Sequence, residues 1–588
     1  MPRLWSIIQR RPLIRLKSVA LAFALGAAPA GPIMAREPLA LARTHIVAAA
    51  NPMAVEAGLD ILRKGGSAVD AAIAVQLVLG VVEPQASGIG GGGFLLHYDA
   101  RGRRIAAWDG RETAPAAATA TMFLDTAGRP LEFPLAVASG LSIGVPGAMR
   151  MLEAVHRVHG RLPWRDLFAP AARLAEEGFP APPRLARALE NDPGLKDDPQ
   201  ALRIFFDAAG APRKRGDIVR NPALAATLRT LAEGGADALH TGPLAAEIVA
   251  AVARAPRPGA MTLADLAGYR PLRRAPLCAP VADLQVCGMG PPSSGPLAVL
   301  QGLAMWPVAP GAAAPASEVE TAHRLAEIGR LIFADRERWL GDPSFTPVPA
   351  DGLLDPAYLA GRAAALRRDG VMAAVAAGVP PGAPTPPAGA EPVKPEGGTS
   401  HLVVVDRWGD AVSFTTTVEG PFGARRFVGG FPLNNELTDF TARPMAGGRA
   451  VANRVEPGKR PRSSMSPVIA VDADGRFALA VGSAGGSRII GDVLQTLAGI
   501  LYEGLDMQAA ISARRALNRG PATEIERGVD DQATARLVEA LSARGHRVVV
   551  APHAGGLHGV RARRDSDGRL LGYEGGADPR RDGVARGD

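Results

Sequence analysis

Residues 53–63 carry apolar side chains at helical spacing and run into Gly65-Gly66, a pattern that predicts a helix with a glycine stop. Residues 68–82 are largely apolar and end before Pro84, which predicts a second helix. A loop follows, Ser87-Gly88-Ile89-Gly90-Gly91-Gly92-Gly93, and then a strand-like Phe94-Leu95-Leu96. Pro146 opens another helical stretch through His156. From there to about residue 366 the pattern stays mostly helical, broken by loops rich in Pro and Gly.

The rhythm then changes. Residues 376–398 crowd seven prolines into a segment without apolar periodicity, the signature of a linker or mobile loop. Immediately after it, residues 401–406 run Leu-Val-Val-Val through their middle. A turn with Gly409 follows, and residues 411–418 return as a β-rich strand. A second hairpin spans 467–481, turning at Asp472-Ala473-Asp474-Gly475. The loop Gly482-Ser483-Ala484-Gly485-Gly486-Ser487 then opens a helix with Ile490, Val493, Leu494, Leu497 and Leu501 at helical spacing. A helix-rich first part thus meets a strand-rich second part at a proline-rich loop.

Composition adds little to this, since 47% hydrophobic and 21% charged residues are ordinary for a folded chain. The start of the chain does change the picture. Arg3, Arg10, Arg11, Arg15 and Lys17 precede an uncharged, small and apolar run that ends Ala28-Pro29-Ala30. Residues 1–30 therefore read as a secretory signal, too short in its apolar run to span a membrane, and predict a periplasmic or secreted protein without a stable membrane anchor. Those five positive charges leave +3 of the net +8 for the rest of the chain, so the basic pI gives no argument for nucleic-acid binding. In an oxidising compartment Cys278 and Cys287, flanking a possible short hairpin, are candidates for a local disulfide.

Several patterns offer chemistry. Gly140-Leu141-Ser142-Ile143-Gly144 matches the nucleophile elbow of α/β-hydrolase esterases, although Val145-Pro146 interrupts the helix an elbow requires. The glycine loops at 90–93 and 482–487 are placed to cradle a phosphate at a helix N-terminus, and a non-enzymatic periplasmic binding protein is one reading of them. His546, His553 and His558 fit surface or hairpin positions better than a metal site, because no carboxylate partner stands out. Gly397-Gly398-Thr399-Ser400-His401 delivers a threonine from a small-residue loop to the start of a strand.

Gly398-Thr399-Ser400-His401-Leu402-Val403-Val404-Val405-Asp406 resembles the start of the small subunit of gamma-glutamyltransferases. Asp109-Gly110-Arg111-Glu112-Thr113-Ala114-Pro115, Pro291-Pro292-Ser293-Ser294-Gly295 and Ala334-Asp335-Arg336 are similar to further family motifs. So are Leu433-Asn434-Asn435-Glu436 with Asp439-Phe440, Lys459-Arg460-Pro461-Arg462-Ser463-Ser464 and Gly482-Ser483-Ala484-Gly485-Gly486-Ser487-Arg488. They stand in family order over nearly the whole chain after the leader.

The resemblance implies a four-layer αββα sandwich of the N-terminal-nucleophile hydrolase type. It implies self-cleavage between Gly398 and Thr399 into a large subunit, residues 31–398, and a small catalytic subunit, residues 399–588, which together form a heterodimer. Thr399 would be the nucleophile, with its freed α-amine as base. Thr417 would orient the Thr399 hydroxyl, and Gly485 and Gly486 would form the oxyanion hole. Arg111, with Ser463 and Ser464, would bind the α-carboxylate of a gamma-glutamyl donor such as glutathione. Glu436 and Asp439, helped by Glu419, would hold its ammonium. Water or an amino acid or peptide would be the acceptor, and neither metal nor cofactor is implied. Residues 441–458 look shorter than the family's tyrosine-bearing lid and contain no tyrosine. Relatives that act as cephalosporin acylases on a glutaryl group define the alternative reading.

Overall fold

The computed structural model describes residues 38–311, 317–384, 397–528, 530–553 and 555–588. The predicted signal and most of the proline-rich segment lie outside the described residues.

The first two predicted helices form at Pro52–Arg63 and Ala68–Val82. Asn51 caps the first through its side chain, with Pro52 at the first helical position, where a missing N–H costs nothing. Ser67 and Asp70 build a reciprocal capping box on the second. The helix expected from Pro146 begins at Ala148 instead. The N–H groups of Gly147 and Ala148 are turned to the Gly91 carbonyl, which ties the helix start to the glycine loop.

Two seven-stranded antiparallel sheets carry the fold. The first runs, edge to edge, Val584–Gly587, Ile46–Ala49, Gly398–Val405, Ala411–Glu419, Gly92–Asp99, Arg104–Asp109 and Leu272–Arg274. The second runs Ala40–Ala42, Leu570–Ala577, His558–Arg564, Phe477–Gly482, Val468–Val471, Leu284–Gly288 and Leu277–Val281. Side chains of the Gly398–Val405 strand alternate strictly. Leu402 and Val404 join Val47, Ala49 and the helices Pro52–Arg63 and Ala68–Val82 in one core. Val403 and Val405 join Ile46, Ala48, Val481 and Val560 in the other, between the sheets and out to the helices Gly295–Met305 and Arg488–Tyr502. Helices thus cover the outer face of each sheet, giving the αββα order.

Among the described residues five strands, the two-residue Phe179–Pro180 and Ile218–Val219 and the longer Leu272–Arg274, Leu277–Val281 and Leu284–Gly288, interrupt the stretch expected to be mostly helical. In the hairpin made by the last two, Cys278 lies directly opposite Cys287, and the two form a disulfide.

Candidate active site

The strand that begins at Gly398 pairs with Ala411–Glu419, with an irregularity between Gly398 and Thr399 that sets Thr399 opposite Thr417. Thr399 is 4% exposed. The Thr399 hydroxyl lies 3.5 Å from the Thr417 hydroxyl, at the outer limit of a hydrogen bond. The Thr417 hydroxyl instead donates to the Gly398 carbonyl, the carbonyl of the predicted cleavage bond, and accepts from the Glu419 N–H at 2.8 Å. Thr417 therefore polarises the bond that Thr399 would attack.

Glycines make this approach possible. A Cβ on Gly91 would fall 2.0 Å from the Thr417 carbonyl oxygen, and one on Gly92 would fall 2.4 Å from a carboxylate oxygen of Glu112. The run at 90–93 leads into a strand and not a helix, which removes the phosphate-cradle reading for it.

A small cavity of about 20 Å³ lies in front of Thr399. It is lined by Thr399, Thr417 and Gly486, by the charged set Arg111, Glu419, Glu436 and Asp439, and by Ser463 and Ser464. Gly397, two residues before Thr399, also lines it. Gly485 and Gly486 have φ of 126° and 61°, left-handed values suited to glycine, and the helix Arg488–Tyr502 starts just behind them.

Arg111 is 1% exposed, and its guanidinium is paired on one side with Glu436 and on the other with Asp439. It also donates to the carbonyls of Pro461 and Arg462, at 3.2 and 3.1 Å. Burial opposes the arginine's charge, but Glu436 and Asp439 outweigh it and hold its pKa above the ordinary value. Glu436 sits on a single 3₁₀ turn with Asp439, is fully buried, and is pushed up from the usual carboxylate range by that burial despite Arg111. Glu419 adopts φ of 76° and accepts a hydrogen bond from the Asn435 amide.

The remaining motifs brace this set. Asn434 accepts from the N–H groups of Gly144 and Glu436 and donates to the carbonyls of Gly90 and Gly144. Ser293 and Ser294 donate to the Met465 and Ser463 carbonyls, each at 2.6 Å. Arg336 reaches Ser294 at 2.8 Å and Ser464 at 2.7 Å. The two serines expected to bind a carboxylate are thus held by a separate segment and by an arginine.

Against known proteins, the profile of the gamma-glutamyltranspeptidase family matches residues 54–587. The chain belongs to this family. It is 38% identical over 515 residues to the glutathione hydrolase proenzyme of Bacillus subtilis strain 168, covering 86% of each chain. It is 34% identical over 550 residues to the glutathione hydrolase proenzyme of Escherichia coli K12, covering 92% of this chain and 91% of that one. Among solved structures, a cephalosporin acylase from Bacillus halodurans superposes with a TM-score of 0.81 at 26% identity, covering 97% of this chain and 99% of that one. The Helicobacter pylori gamma-glutamyltranspeptidase gives 0.52 at 32% identity, covering 57% of this chain and 93% of that one.

Membership in the gamma-glutamyltranspeptidase family, an enzyme family of the N-terminal-nucleophile fold, removes the binding-protein reading. The elbow reading fails on geometry as well. Ser142 is fully buried in a 3₁₀ turn, its hydroxyl 2.8 Å from the carbonyls of both Val137 and Ser139. Ser142→Ala is expected to retain most of the activity; a loss as deep as that of Thr399→Ala in folded protein would refute this. Of the three C-terminal histidines, His546 and His558 are buried, His558 at the start of a hairpin strand, and His553 is half-buried. His546 packs against His323, and His553 does have a carboxylate partner, Asp492, at 2.9 Å. Among the described residues no cluster of three or more His, Cys, Asp and Glu is arranged to hold a metal ion.

One residue of this site was missed from the sequence. Glu112 follows Arg111, is fully buried, and its carboxyl interacts with that of Glu436. Burial pushes its pKa up to about 8, against the pull of Arg111. A carboxyl whose pKa is raised by folding contributes stability below its unfolded value near 4.3, and loses it as pH rises through the folded value. Glu112→Gln is therefore expected to gain in melting temperature over the parent as pH rises from 5 to 8.5. A difference that stays flat across that range would contradict the buried neutral acid.

Proposed function

We propose that this enzyme cuts itself before Thr399 and then transfers the gamma-glutamyl group of glutathione or related donors to water or to an amino acid or peptide. The Thr399 hydroxyl attacks the Gly398 carbonyl, its proton goes to the departing Thr399 amine, and water hydrolyses the ester. The products are a large chain ending at Gly398 and a 190-residue chain beginning at Thr399. Gly397 can then leave the pocket.

In the mature enzyme the Thr399 α-amine takes the hydroxyl proton as the oxygen attacks the γ-carbonyl; an α-amine titrates near pH 8 and suits the task. The N–H groups of Gly485 and Gly486 receive the oxyanion. The carrying observation is the buried Arg111–Glu436–Asp439 set in the same pocket as Thr399. A free gamma-glutamyl group is a zwitterion, and it can exchange into this set, its carboxylate taking Arg111 and its ammonium taking Glu436 and Asp439, with Ser463 and Ser464 beside the carboxylate. A glutaryl group has no ammonium and would leave Asp439 without a ligand partner, which ranks the acylase activity second. The predicted leader supports export to the periplasm or beyond. No described helix is long and apolar enough to cross a membrane.

Turnover of glutathione, a longer gamma-glutamyl peptide and a glutaryl amide, measured side by side, tests this reading. Glutathione and the peptide are expected to lead, with substantial hydrolysis because residues 441–458 carry no tyrosine cover. A clear preference for the glutaryl amide would overturn it.

A further inference from the structure

Cleavage before Thr399 creates a mechanical difficulty. The nucleophile becomes a chain terminus, and termini fray unless something ties them down. Yet both its hydroxyl and its amine must keep their aim, because a displacement of about 1 Å can cost about 100-fold in rate.

Besides the strand pairing opposite Thr417, the structure shows a side-chain tie that the cut does not touch. The guanidinium of Arg581 donates to the Thr399 carbonyl at 2.8 Å, on the far side of the residue from the cut bond. Arg581 is itself fixed at two points, and the second is braced in turn. Its Nε donates to the Gly555 carbonyl, its N–H donates to the Asp578 carbonyl at 3.1 Å, and the Asp578 carboxylate accepts from Leu557 at 3.2 Å. Glu83, Arg184, Asp578 and Asp492 are the charged groups around the guanidinium. Arg184 holds Glu83 at 3.0 Å, and Glu83 accepts from the Ser400 hydroxyl at 3.3 Å, so the residue after the nucleophile is anchored to the same charged layer. This layer is reachable from behind. A cleft of about 550 Å³ is lined by Arg581, Asp582, Arg215 and the prolines Pro180, Pro182 and Pro183.

We propose that Arg581 is a positioning residue for catalysis, holding the main chain of Thr399 so that the freed N-terminus stays aimed at the substrate. The inference rests on Thr399 being the nucleophile. It assigns Arg581 no contact with the substrate, so its loss must appear in kcat and leave the donor KM alone. A guanidinium supplied from solution through the rear cleft should stand in for the missing side chain.

The test uses Arg581→Ala, Arg581→Lys and the cleft control Arg215→Ala in the full chain, with Thr399→Ala alongside. Self-cleavage is scored on gels, and kinetics with a gamma-glutamyl donor are normalised to the two-chain fraction. Arg581→Ala is expected to lose about 100-fold in kcat with donor KM within about threefold. Methylguanidinium should restore at least tenfold in this variant and nothing in the parent. If Arg581→Ala stays uncut, methylguanidinium should restore the cut. Arg581→Lys keeps the charge without the fork and should lose at least tenfold in kcat. Arg215→Ala should match the parent. Three results would each overturn the proposal: parental kcat in Arg581→Ala, a loss or failed cut that methylguanidinium does not reverse, or, should the Ala variant not fold, parental kcat in Arg581→Lys. An active Thr399→Ala would sink the functional reading itself. An inactive Thr399→Ala beside an unaffected Arg581→Ala would sink only this inference.

Discussion

Thr399→Ala is expected to yield a single folded chain with no measurable turnover, whereas the parent separates into two chains, the smaller starting at Thr399. The expectation follows from three positions. The Thr399 hydroxyl belongs to the residue just after the bond it would attack, the Thr417 hydroxyl already donates to the Gly398 carbonyl, and Gly397 lines the pocket. Removing the hydroxyl removes the attacking group in both reactions and leaves Gly397 and Gly398 tethered at the pocket. N-terminal sequencing of the small chain and a turnover assay check both halves. An active parent that is never cut would refute the mechanism, including the α-amine as base.

Arg111→Ala and Asp439→Asn should each lower gamma-glutamyl turnover by orders of magnitude while self-cleavage persists. In the proposed mechanism self-cleavage needs only Thr399, Thr417 and the scissile carbonyl, and no hydrogen bond described above joins these to the ion-pair set. Turnover needs the substrate's two charges to find partners in a buried site, where a charge left alone costs several kcal/mol and each 1.4 kcal/mol is about tenfold. The two variants separate by substrate. Asp439→Asn should lose less on a glutaryl donor than on a gamma-glutamyl donor, since only the latter brings an ammonium. Arg111→Ala should lose on both, because both carry the carboxylate, and it also leaves Glu436 buried without its cation. Equal losses on the two donors for Asp439→Asn would show that Asp439 does not read the ammonium.

Much of this was legible in the sequence. The helices at 52–63 and 68–82 and the hairpins around residues 406–410 and 472–475 follow from local periodicity and turn chemistry, and each forms where expected. Long-range pairing was not legible. Ile46–Ala49 finds its neighbours in Val584–Gly587 and Gly398–Val405, and nothing local announces partners more than 300 residues away. The short strand Arg104–Asp109 and the hairpin His558–Arg564 with Leu570–Ala577 were also missed, since mixed charged and glycine positions blur their alternation. Motif order marked Arg111, Asp439 and the two glycines, because their chemistry is carried by residue type. Glu112 and Arg581 escaped because their roles are set by burial and by what they face.

The interleaving of the sheets has a thermodynamic consequence once the chain is cut. Both sheets mix strands from before residue 398 with strands from after it, so neither product owns a complete sheet. Contacts that formed within one molecule then belong to two, and reassembly becomes a second-order event that dilution slows. The two-chain form should melt cooperatively yet recover poorly on cooling, while the uncut Thr399→Ala chain regains its fold. Persistence of the mature enzyme is then governed by the height of its unfolding barrier rather than by an equilibrium it can revisit.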